Sequence, residues 1–285
     1  MYFSIIVPTY NSVNYVIKLY NTLSQQTYTK FEVLFVDDCS TDNTPSVCRY
    51  ITQQDDRFKF FQLQEHKGPG AARNLGLNYA QGVYIIFIDS DDFISLDYLQ
   101  LLYNTIQEVN NKTNELNNCF IVNKRINTEY NTFNVTTPDV EYNNNIQPIS
   151  VYNIPTSVCR TVFCKPIIDN FNIKFNEKIL HFEDALFVNQ YISYTDPKYI
   201  LQFNGIYLHL DRDDSITHDK ALNENNKRKI KALNYIQKYY NNLIQYNNKY
   251  HDVPPIAMQQ AKYLLDKTQR VKDKEMGRKK KKKHE

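Results

Sequence analysis

Two hydrophobic periods alternate along the first hundred residues of the chain. Short apolar runs predict strands, and the segments between them, with apolar residues at three- and four-residue steps, predict helices. The predicted strands are Phe3–Val7, which Pro8 ends, Phe31–Val36, Phe58–Leu63 and Val83–Ile88; the predicted helices are Val13–Leu23, Thr41–Gln54, Gly70–Ala80 and about Ser95–Val109. Strict alternation of strand and helix predicts an α/β fold, with a mostly parallel sheet and helices on both faces.

The second half of the chain has a less regular pattern. Residues 111–155 are rich in Asn and Thr, and the pattern does not order their short strand-like pieces. Helical spacing returns at Asp184–Tyr194, strand character at Tyr199–Phe203 and Ile206–Leu210, and helical spacing again from about Lys220 onward. We therefore predict an α/β domain over residues 1–217 and a helical C-terminal extension over residues 218–285.

Charge is distributed unevenly along the chain. The net charge is +3, but Arg278 and Lys279–Lys283 form a single positive run, so the remainder is mildly acidic. A uniformly basic surface for nucleic acid is therefore not indicated. The run itself has two open interpretations. It could attract an anionic membrane surface, at about 1 kcal/mol per nearby charge, or it could be a solvated chain end.

Composition indicates a globular protein of the cytoplasm. The chain is 42% apolar and 23% charged, and its five cysteines fit no zinc spacing, which favours reduced thiols. Its N-terminus lacks the basic segment of a signal peptide, and no apolar run reaches the roughly 18–20 residues of a membrane span. We expect a cytoplasmic location, with the basic tail at 278–283 as the basis for any peripheral contact with the inner face of the membrane.

The stretch YIIFIDSDDF carries the first candidate chemistry. Asp89, Ser90 and Asp91 directly follow a predicted buried strand, and carboxylates this close repel one another unless a cation or a donor network compensates. A divalent cation could do so, because Mg²⁺ binds one or two protein carboxylates together with phosphate oxygens. The alternative is a solvated acidic loop before a helix. We expect the last acid, Asp92, to face solvent or to cap that helix.

Two further segments place polar groups at the same edge of the predicted sheet. Asp37 and Asp38 end the second strand, and ligands bind at the carboxyl ends of parallel strands. Asp42 is interpreted as a helix cap and Asp38 as the ligand candidate. The motif GPGAARNLG has two open interpretations. It is either a phosphate loop whose Arg73 reaches a phosphate or Asp91, or a helix start that needs small residues for packing.

Four motifs together resemble glycosyltransferase family 2. They are SIIVPTYN (4–11), FEVLFVDDCSTDNT (31–44), GPGAARNLGL (68–77) and YIIFIDSDDF (84–93), in the order and spacing of that family. The resemblance is tight over residues 3–100 and looser through HFEDALFV (181–188) and YLHLDRDDSIT (207–217). It implies the GT-A fold, with a Rossmann-like mixed sheet, and metal-dependent transfer of a sugar from a nucleotide-sugar.

The resemblance also implies roles for individual residues. It assigns Pro8, Thr9, Asp38 and His66 to the uracil and ribose of a UDP-sugar, and Arg73 to the diphosphate. It assigns Asp89, Ser90 and Asp91 to the DxD motif, with Asp91 and Asp89 as ligands of Mn²⁺ or Mg²⁺, and Asp184 of the pair Glu183-Asp184 to the catalytic base. Segment 207–217 would cover the diphosphate, with Arg212 and Ser215 matching the family's pattern and His209 contacting the diphosphate or the metal. Two positions depart from the family, since His66 stands where many members have Asn and Leu210 where they often have Arg. Without the resemblance, Glu183-Asp184 would be interpreted as acids at a helix N-terminus.

These implications define an inverting glycosyltransferase of the hexosyl or N-acetylhexosaminyl class. A carboxylate takes the proton of the acceptor hydroxyl while UDP leaves, so one displacement inverts the anomeric carbon. The expected acceptor is a saccharide, a polyol phosphate or a lipid-linked glycan, because the looser motifs resemble enzymes of wall teichoic acid and capsular polysaccharide. Two alternatives stay open: a non-catalytic relative that binds nucleotide-sugars, and a phosphatase of the haloacid dehalogenase type, whose DxD would follow the first strand rather than the fourth.

Overall fold

A computed structural model of the chain describes residues 2–113, 119–128, 145–150, 152–210, 224–250 and 252–281. Within them, one sheet contains nine strands: β1 (Phe3–Thr9), β2 (Phe31–Asp37), β3 (Phe58–Gln62), β4 (Tyr84–Phe87), β5 (Phe93–Ile94), β6 (Cys119–Thr128), β7 (Asn145–Pro148), β8 (Thr161–Cys164) and β9 (Tyr199–Leu210). The helices are α1 (Val13–Ser24), α2 (Thr44–Gln54), α3 (Pro69–Tyr79), α4 (Tyr98–Thr113), α5 (Lys165–Asn170), α6 (Glu183–Thr195), α7 (Glu224–Tyr250) and α8 (Pro255–Lys281), with a single 3₁₀ turn at Val158–Arg160.

The N-terminal half of the sheet is parallel, in the order β3-β2-β1-β4. This confirms the alternation of strand and helix that the sequence predicted. The prediction that Pro8 ends β1 is wrong. The strand continues through Pro8 to Thr9, which pairs with Asp37. The Ile6 carbonyl accepts the amide of Ile88, so Pro8, two residues further on, turns its nitrogen to the same side. That side faces β4, whose last paired residue, Phe87, lies opposite Ile6. The missing N–H of Pro8 therefore breaks no ladder hydrogen bond.

The other half of the sheet combines parallel and antiparallel pairs. β8 pairs antiparallel with both β4 and β6, β6 pairs parallel with β9, and the short β5 and β7 pair antiparallel with β9. The sequence predicted two strands where β9 is continuous, and the pairing of β6 with β9 shifts register between Val122 and Lys124. Such an irregularity bends a strand without ending it. The predicted mixed α/β sheet is confirmed.

Two helix boundaries differ from the sequence prediction for local reasons. α2 begins at Thr44 rather than Thr41, because Asp42 accepts the amide of Thr44 at 2.9 Å and so caps the helix from outside. The same carboxylate accepts the amide of Val13 at the start of α1. α4 begins at Tyr98 rather than about Ser95, because β5 extends to Ile94 and the amide of Ser95 still donates to the Ile206 carbonyl of β9 at 3.0 Å.

The C-terminal helices pack against α6 and form a second apolar cluster. Its buried members are Ile179, Ala185, Leu186, Ala232, Ile236, Tyr240, Ala261 and Leu264. The helical C-terminal extension is therefore confirmed. α8 remains helical through Lys281, so the first part of the predicted basic tail is helix, and residues 282–285 lie outside the described part. Among the helices that the structure describes, none is long and apolar enough to cross a bilayer.

Candidate active site

One guanidinium joins three carboxylates at the edge of the sheet. Arg73 donates from Nη2 to Asp89 Oδ1 at 2.8 Å, and from Nη1 to Asp184 Oδ1 at 3.0 Å and Glu183 Oε1 at 3.2 Å. We call these four residues the Arg73 centre. The sequence suggested Asp91 as the acidic partner of Arg73, but the structure pairs it with Asp89. Residues 89–92, which we call the acidic loop, and the start of α6 therefore both contact the Arg73 side chain.

Burial makes the charges of the Arg73 centre depend on one another. The Arg73 side chain is only 5% exposed. Burial disfavours its charge, but Asp184, Asp89 and Glu183 outweigh this effect and hold the pKa of Arg73 well above its ordinary value. Burial raises the pKa of Asp184 to about 7, with Arg73 opposing the rise and Glu183 and Asp89 adding to it. Asp184 can therefore exchange a proton near neutral pH, whereas Arg73 stays charged.

Close packing around the glycine motif places Arg73 in this centre. Gly68 has a φ of +91°, a conformation that side chains rarely adopt. A Cβ added to Gly70 would lie 3.3 Å from Phe175 Cβ and 3.7 Å from Glu183 Cγ. The Phe175 ring supports the guanidinium, with its centroid 5.4 Å from Arg73 Cζ. These contacts favour the packing interpretation of the motif, because Gly68 and Gly70 let α3 approach residues 175–183, and Gly76 lets it approach Ile6 of β1.

The start of α6 is held in an unusual backbone conformation. Phe182, directly before Glu183, has a φ of +65°, and its side chain packs against the second apolar cluster. A bulky residue in this region costs energy, and such strain gathers at functional sites. Asp184 Oδ2 accepts the amide of Val158 at 3.2 Å, while its Oδ1 binds Arg73. Asp184 thus bonds to α3 and to the 3₁₀ turn, and α6 has no side-chain cap bond. This favours a functional site over a helix cap.

The acidic loop presents two partly exposed carboxylates at the sheet edge. The Asp89 side chain is 37% exposed, and Asp91 is partly buried. Ser90 Oγ lies 2.8 Å from Ser12 Oγ, which fixes the loop against the start of α1. Among the described residues, no group of three or more His, Cys, Asp or Glu side chains could hold a metal ion. A cation that binds together with a diphosphate needs only one or two protein carboxylates, so this pair fits that kind of metal.

Asp92 is the clearest departure from the sequence expectation. It was predicted to face solvent or to cap a helix, but it is 1% exposed. Its carboxylate accepts the Tyr207 hydroxyl at 2.5 Å and the Leu210 amide at 3.0 Å, and lies 3.0 Å from His209 Nδ1. The prediction failed because β5 pairs with β9 directly after Asp92 and carries it under the end of that strand. We call these four residues the Asp92 cluster.

Asp38 anchors the loop that leads into α3. Its two oxygens accept the amides of Lys67 and Gly68, both at 2.7 Å, and Oδ2 lies 2.9 Å from His66 Nδ1. Tyr10 stacks on the His66 ring with centroids 4.2 Å apart. Asp38 and His66, both predicted site residues, therefore touch. Tyr10 was not among the predicted site residues, although an aromatic residue directly after the Pro-Thr pair was a usable signal.

Thr9 is tied to the neighbouring strand end. Its hydroxyl donates to Asp37 Oδ1 at 3.2 Å, and Asp37 also accepts the hydroxyl of Ser40 and the amide group of Gln62. Asp37 is fully buried, so it acts as a structural partner of the strand ends. Of the remaining predicted site residues, Arg212 and Ser215 lie outside the described part of the chain.

Comparison with known sequences identifies the relatives of this chain. A sequence model described as "Glycosyl transferase family 2" matches residues 4–153. Glycosyltransferase GlyA of Streptococcus pneumoniae is 42% identical over 105 residues, which cover 37% of this chain and 15% of GlyA. Poly(ribitol-phosphate) beta-N-acetylglucosaminyltransferase TarS of Staphylococcus aureus is 36% identical over 194 residues, which cover 66% of this chain and 32% of TarS. The chain thus spans a third or less of the length of these curated relatives.

Solved structures share the fold over most of the chain. S. aureus TarS 1–349 in complex with UDP-GlcNAc has a TM-score of 0.62 at 25% identity, covering 83% of this chain and 66% of that one. The mannosyltransferase PcManGT of Pyrobaculum calidifontis, in complex with GDP-Man and Mn²⁺, has a TM-score of 0.58 at 16% identity, covering 92% of this chain and 69% of that one. At that identity the second similarity concerns the fold alone.

Proposed function

The chain belongs to glycosyltransferase family 2, and from this membership and the site geometry we propose that it transfers a sugar from a UDP-sugar to a glycan acceptor. The reaction would be metal-dependent and would invert the anomeric carbon. The acceptor would be a saccharide or a polyol phosphate of a cell-surface glycan. The phosphatase alternative loses its basis, because the acidic loop belongs to a family 2 domain.

The observation that carries the proposal is the pair of contacts at the two ends of the Arg73 guanidinium. Asp89 lies on Nη2, and Asp184 lies on Nη1. In a single displacement, the hydroxyl attacks the anomeric carbon from one side while the bond to the diphosphate breaks on the opposite side. An acid on the donor side and a base on the acceptor side must therefore be neighbours, and Arg73 makes Asp89 and Asp184 neighbours.

Asp184 is proposed as the base that accepts the proton of the acceptor hydroxyl. A general base works best when its pKa lies near the operating pH. Burial raises the pKa of Asp184 to about 7, which supports this role. The bonds from Arg73 and Val158 would hold the carboxylate in place, and its remaining lone pairs would face the hydroxyl. Glu183 would help to position Arg73.

Asp91 and Asp89 are proposed to hold Mn²⁺ or Mg²⁺ together with the diphosphate. When bound, such a cation stabilises the negative charge of the leaving group. Ser90 would keep the acidic loop against α1 through Ser12. We further propose that Arg212 and Ser215 contact the diphosphate, as the family resemblance implies.

The nucleoside is proposed to bind between the end of β1 and the loop before α3. Pro8 and Thr9 stand at the strand end, and Asp38, directly after β2, contacts His66 of the facing loop. The stacked ring of Tyr10 extends this surface on the solvent side. A pyrimidine ring could lie against it, because aromatic faces attract flat rings.

The choice of donor and acceptor rests on similarity to TarS. TarS is named for transfer of N-acetylglucosamine to poly(ribitol phosphate), and a TarS structure contains UDP-GlcNAc. We propose a UDP-linked hexose or N-acetylhexosamine as donor, and a saccharide, polyol-phosphate or lipid-linked chain as acceptor. The basic run at 278–283 would contribute peripheral contact with an anionic membrane that carries such an acceptor.

A thermal-shift screen of nucleotide-sugars tests the donor assignment. UDP-GlcNAc, UDP-GalNAc, UDP-Glc, UDP-Gal and GDP-Man are compared, each with Mn²⁺, with Mg²⁺ and with EDTA. A ligand that binds only the folded state stabilises it by RT ln(1 + [L]/Kd), about 2.7 kcal/mol at one hundred times Kd. We expect a UDP-sugar with metal to give the largest shift. A larger shift with GDP-Man, or no shift with any nucleotide, would contradict the proposal.

Two variants separate binding from chemistry. Asp91→Ala should weaken metal-dependent UDP binding and abolish transfer, whereas Asp184→Ala should abolish transfer and keep UDP binding. Asp169→Ala is the matched control, because this carboxylate is 54% exposed and, among the described residues, its side chain bonds to Lys165, outside the proposed site. Full transfer by Asp184→Ala would refute the base assignment. UDP binding without transfer by the wild type, across a panel of acceptors, would favour the non-catalytic alternative.

A further inference from the structure

The Asp92 cluster is connected to the acidic loop through one hydroxyl. The Tyr207 hydroxyl donates to Asp92 Oδ2 and also accepts the backbone amide of Asp89 at 3.3 Å. The amide of Asp92 in turn donates to the carbonyl of Asp89 at 3.0 Å. Two links thus close the turn that contains Asp91: one direct hydrogen bond, and one bridge of two hydrogen bonds through Tyr207.

The same carboxylate also holds the last residues of β9. It binds His209 through Nδ1 and Leu210 through its amide. Tyr207 and His209 lie two residues apart on β9 and therefore share the face that meets Asp92. Asp92 is thus the point at which the acidic loop and the end of β9 are fastened together, across more than a hundred residues of sequence.

We propose that Asp92 is a positioning residue for donor binding, acting on the turn that carries Asp89 and Asp91 and on the ring of His209. This inference rests on the proposed function, because it assumes that the acidic loop binds a metal and the diphosphate of UDP. Asp92 itself is buried and would touch neither. Its task is to keep Asp91 and His209 at a fixed separation, so that binding does not have to order them.

A carboxylate suits this task better than its amide counterpart. Three donors converge on Asp92: the hydroxyl of Tyr207, a ring nitrogen of His209 and the amide of Leu210. An ionised carboxylate accepts through about four lone pairs, whereas Asn accepts through one oxygen and turns an NH₂ group toward the other donors. In Asp92→Asn the three groups can therefore no longer all donate to this side chain as they do now, although its size hardly changes.

The test measures UDP affinity by calorimetry, with Mn²⁺ and with EDTA, alongside urea unfolding. The proteins are the wild type, Asp92→Asn, Tyr207→Phe and the double variant. Loss of a supporting hydrogen bond typically costs 10–100-fold in metal affinity, so we expect a fall of about that size in UDP affinity with Mn²⁺. With EDTA, the fall should be smaller, because contact of Asp91 with the metal is then absent in every variant and only the contact of His209 can change. The double variant should lose less than the product of the single losses, because both substitutions break the same bond.

Tyr98→Phe is the matched control for a purely structural role. Tyr98 is also fully buried, and its hydroxyl accepts a hydrogen bond from Asn123 at 2.9 Å, within the core between α4 and β6. We expect this variant to lose unfolding stability as Tyr207→Phe does, and to bind UDP with Mn²⁺ as the wild type does. Tyr207→Phe keeps the test decisive even if Asp92→Asn does not fold.

Two outcomes would contradict this inference, and they can be distinguished from each other. If Tyr207→Phe and Asp92→Asn lose stability but bind UDP with Mn²⁺ at wild-type affinity, Asp92 is structural and the inference is wrong. If the wild type itself does not bind UDP with any divalent cation, the proposed function fails, and this inference fails with it.

Discussion

The acidic loop at the end of β4 lies between two carboxylate groups that are compensated in different ways. In the Arg73 centre, three acids share one buried cation. In the Asp92 cluster, one acid is surrounded by a hydroxyl, a backbone amide and an imidazole ring. Charge balances the first, and directed hydrogen bonds balance the second.

This difference indicates that the acids within residues 89–92 have two different roles. A centre balanced by charge can change when a proton or a ligand arrives, because the pKa of Asp184 already lies near neutrality. A cluster balanced by hydrogen bonds has fixed directions and holds its geometry. We infer that the Arg73 centre serves the chemical step and that the Asp92 cluster keeps the loop in place.

Removal of the positive charge of Arg73 should have the largest effect on the free energy of unfolding. Arg73→Met keeps much of the side-chain volume and leaves Asp89, Glu183 and Asp184 without their shared partner. Breaking a buried pair in this way costs about 3–5 kcal/mol, because an uncompensated charge remains. Urea unfolding at pH 7.5 should show this loss of unfolding free energy. Part of it should return at pH 5, where protonation relieves the repulsion.

Arg270→Met is the control for that prediction. Arg270 is 79% exposed and pairs with Asp266 on the surface of α8. Exposed pairs contribute about 0–1 kcal/mol, so this variant should unfold almost as the wild type does. An equally small effect of Arg73→Met would mean that the Arg73 centre is not held together by charge.

The sequence was sufficient for the parts of the site that depend on strand ends. Asp38 and Asp89 stand where parallel strands end, so hydrophobic periodicity alone brought them to one edge. The first four strands followed from the same pattern. The region 111–155 did not, because Asn- and Thr-rich sequence has no clear period from which to assign β6 and β7.

Contacts between distant segments could not be predicted in this way. The bond from Arg73 to Asp184 spans 111 residues, and the bond from Tyr207 to Asp92 spans 115. A run of acids in a loop appears solvated when only its neighbours are considered. Asp92 is buried because β5 folds it beneath β9, and only the tertiary structure contains that information.

The pH dependence of transfer should reveal the titrating member of the Arg73 centre. The base must be ionised, and burial raises the pKa of Asp184 to about 7. We therefore expect kcat/KM to fall about tenfold per pH unit below that value, since kcat/KM reports ionisation of the free enzyme. Initial rates of UDP release between pH 5.5 and 8.5 would measure this. A flat profile from pH 5.5 to 7.5 would contradict the assignment.

Stability should depend on pH with the opposite sign. Below about pH 4, Asp184 is protonated in both folded and unfolded chains; between about pH 4 and 7, only the folded chain holds the proton. The favourable contribution is therefore present at low pH and is lost as pH rises through about 7. Asp184→Asn should remove this dependence, so the stability of the variant relative to the wild type should increase from pH 5 to pH 8. A constant difference over that range would exclude a raised pKa.

The smallest expected effect separates the two acids of α6. Glu183 makes the longer bond to Arg73, and its side chain packs beside Gly70, whereas Asp184 also binds the Val158 amide and carries the raised pKa. Glu183→Gln keeps the size and one acceptor oxygen, so we expect kcat to fall by about tenfold or less, the cost of roughly one weakened hydrogen bond. The KM for the donor should stay unchanged. If Glu183→Gln instead matched the complete loss expected for Asp184→Ala, Glu183 would be a catalytic residue and the division between base and positioning acid would have to be reversed.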